Sequence, residues 1–357
     1  MQKYNTARIC RFGLVAAAAF VLAGCGEGGN FSQFEGFDDI RASLSPVPPN
    51  ARERLLLARH KPRLFLSPLA DVNNGPLDFY ADYIAAGHLT TGEGMRIISP
   101  DAKTLNAHRN DARALFVHSP KKQSAMPAGY GGVYNAVLDL PGIGKTPLTF
   151  LSYHFVFRHS GLPAGVGGFL RDAANFAADA EDWHQLDHYT AVYIALHNEK
   201  PVAMILQQHN YLRSYLINDD ESFVAGKPAA VDVALYSNEL YPHRRKQTRH
   251  RAASVMTART IGWLTQTGET SGGFFAAEDI TEGARDVDYA LRFLPPNDAF
   301  YVFEGYLGEK RFLPGRDGPP GAIYRTVPKL WHLEVALYTY YWKEGDAEYA
   351  DLLRREG

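Results

Sequence analysis

Short, mostly apolar segments rich in β-branched and aromatic residues recur along the chain. Segments of this length and composition, bounded by turn residues, are typical of strands. The pattern predicts strands over 148–158, 187–196, 202–209, 229–236 and 301–307. Asn198 and Glu199 lie between the second and third of these segments and predict the turn of a hairpin.

Four other segments have helical patterns. The first covers 76–88, where Asn74 can cap the helix, Pro76 suits its first turn and Gly87 ends it. The remaining three cover 168–180, 252–264 and 331–355. The chain also holds 20 Tyr and 20 Phe, residue types that favour strands. Together these patterns predict a mainly-β fold, a β-sandwich with helical insertions and a helical C-terminal segment.

The first 24 residues have the pattern of a signal peptide. Lys3, Arg8 and Arg11 precede an apolar run at 12–23. This run is too short to cross a bilayer, which needs about 20 apolar residues in a helix, but it suits the apolar region of a signal peptide. Residues 1–24 are therefore predicted to direct export and to be removed.

The end of this segment, Leu22-Ala23-Gly24-Cys25, resembles the lipobox of bacterial lipoproteins. The resemblance implies that Cys25 carries lipid, such as palmitate, and anchors the protein to a membrane of the cell envelope. In lipoproteins an Asp after the cysteine favours retention at the inner membrane. Because Gly26 stands at that position, the outer membrane is the favoured address.

The remaining chain divides by composition into a tether and one domain. Residues 25–60 include a weakly patterned Gly-, Ser- and Pro-containing stretch and are predicted to be a flexible, lipid-anchored tether. Residues 61–357 are predicted to form a single domain. The chain has two cysteines, Cys10 and Cys25, so the mature domain contains no disulfide and no thiolate.

The charge balance argues against nucleic acid as a partner. Without the signal peptide, 34 basic residues remain against 39 acidic ones, and a net acidic domain does not attract phosphate backbones. A strongly basic run nevertheless extends from Arg244 to Arg251. This run predicts either a solvated loop or a contact with anionic lipid headgroups.

Candidate metal ligands cluster in the middle of the chain, where eight of the 13 histidines lie between residues 154 and 250. In an extended segment Asp182, His184 and His188 would share one face, and His209 ends a nearby strand. Two imidazoles and a carboxylate can hold one divalent metal ion. The alternative is a buried hydrogen-bond network without metal.

Polar residues also follow the ends of successive predicted strands. Such strand ends meet at one rim of a sheet, where β-sandwiches build their sites. Trp183, Glu239 and His243 are therefore predicted to contribute to ligand binding at this rim.

Four elements occur in a defined order along 61–245. They are the aromatic strand 151–158, Asp182-Trp183-His184, the strand end Gln208-His209, and Tyr236-Ser237-Asn238. This succession resembles the vacuolar protein sorting-associated protein 62 family and, more distantly, the necrosis-inducing proteins. In the latter, an acidic and histidine cluster binds a divalent metal and the domain acts on membrane glycolipids. The resemblance therefore implies a β-sandwich with a ligand- or metal-binding rim.

Two residues depart from the family pattern. His184 stands where the family has the Glu of Asp-Trp-Glu, and Asn238 stands where it has the His of Gly-Ser-His. Asp187 is a second candidate for the Asp-Trp-Glu position, so the alignment with Asp182 stays open.

The sequence therefore supports two hypotheses of function. The first is a non-enzymatic binding module of the cell envelope. The second is a metal-dependent hydrolase that acts on an envelope, lipid or glycan substrate, with Asp182, His184, His188 and His209 at the metal and Glu239 as general base.

Overall fold

The computed structural model describes residues 47–67, 75–118, 126–140, 144–158, 187–208, 211–235, 237–256 and 273–308. Strands dominate these residues, and the mainly-β class predicted from the sequence is confirmed. The few helices described are short.

The strands follow in chain order: β1 (Arg63–Leu66), β2 (Gly87–Thr90), β3 (Arg96–Ile98), β4 (Leu115–His118), β5 (Ala128–Leu140), β6 (Gly144–Phe157), β7 (Asp187–His197), β8 (Lys200–Gln208), β9 (Tyr211–Leu216), β10 (Ala230–Val233), β11 (Leu240–Pro242), β12 (Arg249–Met256), β13 (Gly273–Ile280), β14 (Arg285–Val287) and β15 (Ala290–Phe293). The α-helices are α1 (Ala51–Arg59), α2 (Ala102–Ala107) and α3 (Ala299–Val302). A π-helix at Phe79–Tyr83 runs into a 3-10 turn at Ile84–Ala86.

Two larger sheets organise the domain. The six-stranded sheet has the order β15-β5-β6-β7-β8-β9, and the four-stranded sheet has the order β11-β10-β1-β14. Neighbouring strands are antiparallel except for the parallel pairs β15–β5 and β1–β10. A three-stranded sheet, β3-β2-β4, and the β12–β13 pair complete the described strands.

The main core lies between the two larger sheets. Leu64 and Leu66 of β1 and Val231 of β10 are buried in one cluster with Leu151 and Phe155 of β6. Burying side chains of this size contributes about 1.5–3 kcal/mol each relative to exposing them. Because successive side chains of a strand point to opposite faces, the residues between these lie on the other face of the four-stranded sheet.

Helix α1 overturns part of the predicted tether. Asn50 and Glu53 form a capping box, in which each side chain accepts a hydrogen bond from the other residue's backbone N–H. Leu56 and Leu57 are buried in the main core, and the Tyr153 hydroxyl donates to the Leu57 carbonyl at 2.9 Å. The prediction that 25–60 is a flexible tether is therefore wrong for 51–59, because apolar side chains there fasten the segment to the sheets.

Four of the predicted strands are present as β6, β7, β8 and a shorter β10. The predicted hairpin is confirmed as well, with Asn198 and Glu199 at φ 49° and 61°. Such positive values suit the tight turn of a two-residue hairpin.

Two predictions of secondary structure are wrong where they can be compared. Residues 252–256 are predicted to be helical but belong to β12, because the segment pairs with β13 along its whole length. Residues 301–307 are predicted to be a strand, yet Asp298 caps α3 with its side chain and the helix continues through Val302. In both cases a partner outside the segment, a pairing strand or a capping side chain, outweighs the local preference for helix or strand.

The predicted helix at 76–88 is correct in part. The helical residues begin at Phe79 and the turn ends before Gly87, as expected. The cap is Asp78, whose side chain accepts from two backbone N–H groups. The predicted cap Asn74 lies outside the described residues.

Several predictions lie outside the described residues: the signal peptide, Cys25, the helices at 168–180 and 331–355, and the candidate ligands Asp182, Trp183, His184 and His209. Of the helices in the described part of the chain, none is long and apolar enough to cross a membrane.

Candidate functional site

The outer face of the four-stranded sheet carries a buried layer of polar side chains. Phe65 pairs with Asp232, and Asp232 pairs with Tyr241, so these three side chains lie side by side across β1, β10 and β11. We call the surrounding group the β11 cluster; it consists of Asp232, Ser237, Glu239, Tyr241, His243, His250 and Asp279. All of these side chains are buried except that of His243, which is 24% exposed.

Asp232 holds His243 in one orientation. Nδ1 of His243 lies 2.6 Å from Oδ1 of Asp232. Because a carboxylate oxygen accepts, Nδ1 donates this hydrogen bond, and in the corresponding tautomer Nε2 is an acceptor. No described residue bonds Nε2. A carboxylate and an imidazole in this relation can bind a ligand hydroxyl or act as a general base.

The ring of Phe65 stacks on one face of the His243 ring and restricts its rotation. The rings of Phe65 and His243 are parallel within 6° and their centroids are 3.8 Å apart. The guanidinium of Arg63 lies over the same Phe65 ring at 5.0 Å and pairs with Asp286 at 2.6 Å. His243 therefore loses little conformational freedom when it binds a ligand.

His250 reaches the same carboxylate from the neighbouring β12. Its ring stacks on Tyr241 with centroids 4.4 Å apart. Its Nε2 lies 3.7 Å from Oδ2 of Asp232, which is longer than a hydrogen bond. The two oxygens of Asp232 thus face one imidazole each.

Tyr241 links two buried carboxylates. Its hydroxyl lies 2.9 Å from Oε2 of Glu239 and 3.2 Å from Oδ2 of Asp279, and Ser237 donates to the same Asp279 oxygen at 2.5 Å. Burial raises the pKa of Tyr241 well above its ordinary value, and the charges of Glu239 and Asp279 raise it further. The hydroxyl therefore stays neutral and remains a donor to these acids.

The loop between β11 and β12 is basic and partly exposed. Arg244 donates to Asp220 through Nε at 2.7 Å and through a terminal nitrogen at 2.5 Å. Burial by itself would raise the pKa of Asp220, but hydrogen bonds from Ser222 and from Arg244 outweigh it and leave the pKa lowered. Arg245, Lys246 and Arg249 are exposed.

The structure brings together two of the predicted site residues, Glu239 and His243, which flank β11 in one cluster. Their role in ligand binding stays a prediction. His188 lies in β7, where only its backbone is described, and the other predicted metal ligands lie outside the described residues. Within the described residues, no three His, Cys, Asp or Glu side chains are grouped so as to hold a metal ion.

Sequence reasoning missed Asp232, Tyr241, His250 and Asp279 as members of the cluster. Asp232 carries a recognisable signal, because it stands between two valines in a strand with a buried face. Its partners His243 and His250 are brought to it by β11 and β12, and no local sequence pattern predicts which strands pair.

Comparisons with protein-family models, with curated proteins and with solved structures find no match to this chain. The resemblance to the vacuolar protein sorting-associated protein 62 family therefore rests on the sequence elements alone.

Proposed function

We propose that the protein is a lipid-anchored module of the cell envelope, without enzymatic activity, that holds anionic groups through the basic loop that follows β11. In this proposal Cys25 carries the lipid, the outer membrane is the favoured address, and the β body is of the vacuolar protein sorting-associated protein 62 type. The ligands of the basic loop are the acidic headgroups of the membrane to which the chain is tethered.

One observation carries the proposal: Arg245 and Lys246 are exposed, and neither the guanidinium of Arg245 nor the ammonium of Lys246 forms a salt bridge within the described residues. Their neighbour Arg244 is already neutralised by Asp220. Arg249, at the start of β12, is also exposed. Each basic side chain near an anionic membrane contributes about 1 kcal/mol, and the exposed Glu221 beside the loop offsets part of this.

Vesicle binding tests the proposal. The unlipidated mature chain, which starts at Gly26 after a Cys25 deletion, is sedimented with phosphatidylglycerol vesicles and with phosphatidylcholine vesicles. We expect binding to the anionic vesicles alone, with an affinity that falls as salt is raised. The triple variant Arg245→Gln, Lys246→Gln, Arg249→Gln should bind about 10- to 100-fold more weakly.

The matched control replaces three exposed cations on other elements, as Arg59→Gln, Lys103→Gln and Lys145→Gln. It removes the same net charge and should retain most of the affinity. Equal losses in the two triple variants, or equal binding to both kinds of vesicle, would refute the loop as a headgroup site.

A further inference from the structure

A second site lies away from the β11 cluster, where the N-terminal segment crosses β5. It is an open cavity of about 330 Å³, which is within the usual size range of small-ligand pockets. Its walls combine polar and apolar surface, and the apolar part includes Pro48, Pro49, Val133, Leu294 and Pro296. Proline offers no backbone N–H, so these walls present few donors.

The rim of this cavity carries polar side chains that use only some of their hydrogen-bonding atoms within the fold. The Asn50 side chain accepts from Glu53 N–H through Oδ1, and Oε2 of Glu53 accepts from Asn50 N–H at 2.8 Å. Oδ1 of Asn135 accepts from Thr149 at 2.8 Å. These bonds fix all three side chains and leave Asn50 Nδ2, Asn135 Nδ2 and Glu53 Oε1 without partners in the described part of the chain.

The inner wall contains Tyr301, whose hydroxyl is buried and has no hydrogen-bond partner among the described residues. A buried hydroxyl left without a partner destabilises a fold, so such a group calls for an explanation. Burial raises the pKa of Tyr301, and the nearby Tyr134 raises it further. The hydroxyl is therefore neutral and can both donate and accept.

The geometry points to a site for a neutral, hydroxyl-rich ligand the size of one sugar ring. Two amide donors, a carboxylate acceptor and a tyrosine hydroxyl match a ligand whose groups donate and accept alternately. An anion would meet the Glu53 carboxylate, and a cation would meet the two amide NH₂ donors. Tyr134, Tyr301 and the prolines supply flat apolar surfaces for the C–H faces of such a ring.

Side-chain amide signals of selectively ¹⁵N-asparagine-labelled protein test this inference, with the mature chain from Gly26 as the sample. The probes are glucose, N-acetylglucosamine and inositol, with inorganic phosphate and tetramethylammonium as charged comparisons. We expect at least one neutral probe to shift the Asn50 and Asn135 signals saturably at millimolar concentration, and neither charged probe to do so. Saturable shifts with a charged probe, or none with any neutral probe, would overturn the assignment.

Variants separate binding from folding. Asn135→Ala should weaken binding of the responding probe about tenfold, since one hydrogen bond is lost. Val137→Ala is the matched control, because Val137 is exposed on the same strand and does not line the cavity. Equal affinity of the two variants would contradict the site.

Tyr301→Phe adds a second readout. Without ligand, the melting temperature should stay unchanged or rise, because the variant removes an unpartnered hydroxyl. Affinity for the neutral probe should fall several-fold. A lowered melting temperature with unchanged affinity would mean that the hydroxyl serves the fold alone, and the inference would fail. The triple variant of the basic loop should bind the neutral probe normally, so this site and the headgroup site are tested independently.

Discussion

His154 shows at the scale of one residue how the fold changes a side chain's chemistry. It lies on β6, fully buried, with the rings of Tyr193, Phe300 and Tyr301 edge-on around it. Burial lowers its pKa from the ordinary 6.5 to about 3. The imidazole is therefore neutral in the native protein wherever the protein is stable, whereas an unfolded chain would protonate it below about pH 6.5.

This difference predicts an acid-sensitive stability. Below the unfolded pKa the unfolded state binds one more proton than the native state, so the free energy of unfolding falls as pH falls from 6.5 towards 3. Between pH 7 and pH 5 the contribution of His154 is a loss of about 2 kcal/mol. His154→Gln, which does not titrate, should lack this part of the loss in urea unfolding at the two pH values. A variant that loses as much stability as the wild type would contradict the prediction.

The β11 cluster shows a different effect of burial on single residues. The Tyr241 hydroxyl can donate one hydrogen, yet it faces both Glu239 and Asp279. Ser237 supplies a further donor to Asp279. A buried polar network stabilises a fold most when every member has a hydrogen-bond partner. Removing one member of this cluster would therefore leave its partners unsatisfied.

At the scale of the element, helix α1 joins the N-terminal segment to the main core. One of its faces carries Leu56 and Leu57, which are 8% and 0% exposed, and the other carries Leu55, which is 71% exposed. The capping box at Asn50 stops the helix from fraying at the point where the chain enters the domain. The helix also forms an ion pair between Arg52 and Glu199 of the β7–β8 hairpin.

Leucine substitutions in α1 test this attachment. Leu57→Ala should lower the free energy of unfolding by about 2–5 kcal/mol, because it removes a buried side chain and leaves a cavity. Leu55→Ala changes the same residue type in the same helix but on the exposed face, and should change stability by about 0.5 kcal/mol or less. Urea unfolding of both variants in the mature chain measures the difference, and similar losses in the two would show that α1 does not belong to the core.

A chain that starts at Lys61 would lack the whole helix. The burial of Leu56 and Leu57 would be lost, together with the carbonyl that accepts from Tyr153. This loss is a large fraction of the roughly 5–15 kcal/mol that stabilises a typical domain. The domain therefore includes α1, and a boundary at residue 61 would cut this helix off.

At the scale of the whole molecule, the proposed function depends on the attachment of the domain to a membrane. The signal-like segment with Cys25 and the basic loop lie far apart in sequence, and each would bring the same domain to an anionic surface. A lipid chain that anchors only marginally gains from a second, electrostatic contact.

Cys25→Ser tests the anchor. The serine cannot take the thioether-linked lipid, so the variant should accumulate as uncleaved precursor or as soluble protein without label. Metabolic labelling with radioactive palmitate, followed by membrane fractionation, measures the outcome. Label that persists on the variant would show that the lipid is attached elsewhere or that the lipobox resemblance is misleading.

Features that depend only on neighbouring residues could be predicted from the sequence. Short, mostly apolar segments predicted β6, β7 and β8, and the positive φ of Asn198 and Glu199 agrees with the turn predicted there. Polar residues at strand ends predicted Glu239 and His243, which the structure brings into one cluster. Strand periodicity and turn chemistry are local properties, so they can be read without the fold.

Features that depend on partners distant in the chain arise only in the folded protein. Ala252 to Met256 has the composition of a helix and becomes a strand because β13 supplies a partner for its backbone hydrogen bonds. Asp232 becomes the centre of the candidate site only when β11 and β12 carry His243 and His250 to its two oxygens. Tyr301 lines a cavity only because the segment before α1 crosses β5. Burial and pairing arise between segments far apart in the chain, and their energies outweigh the small local propensities that a sequence pattern expresses.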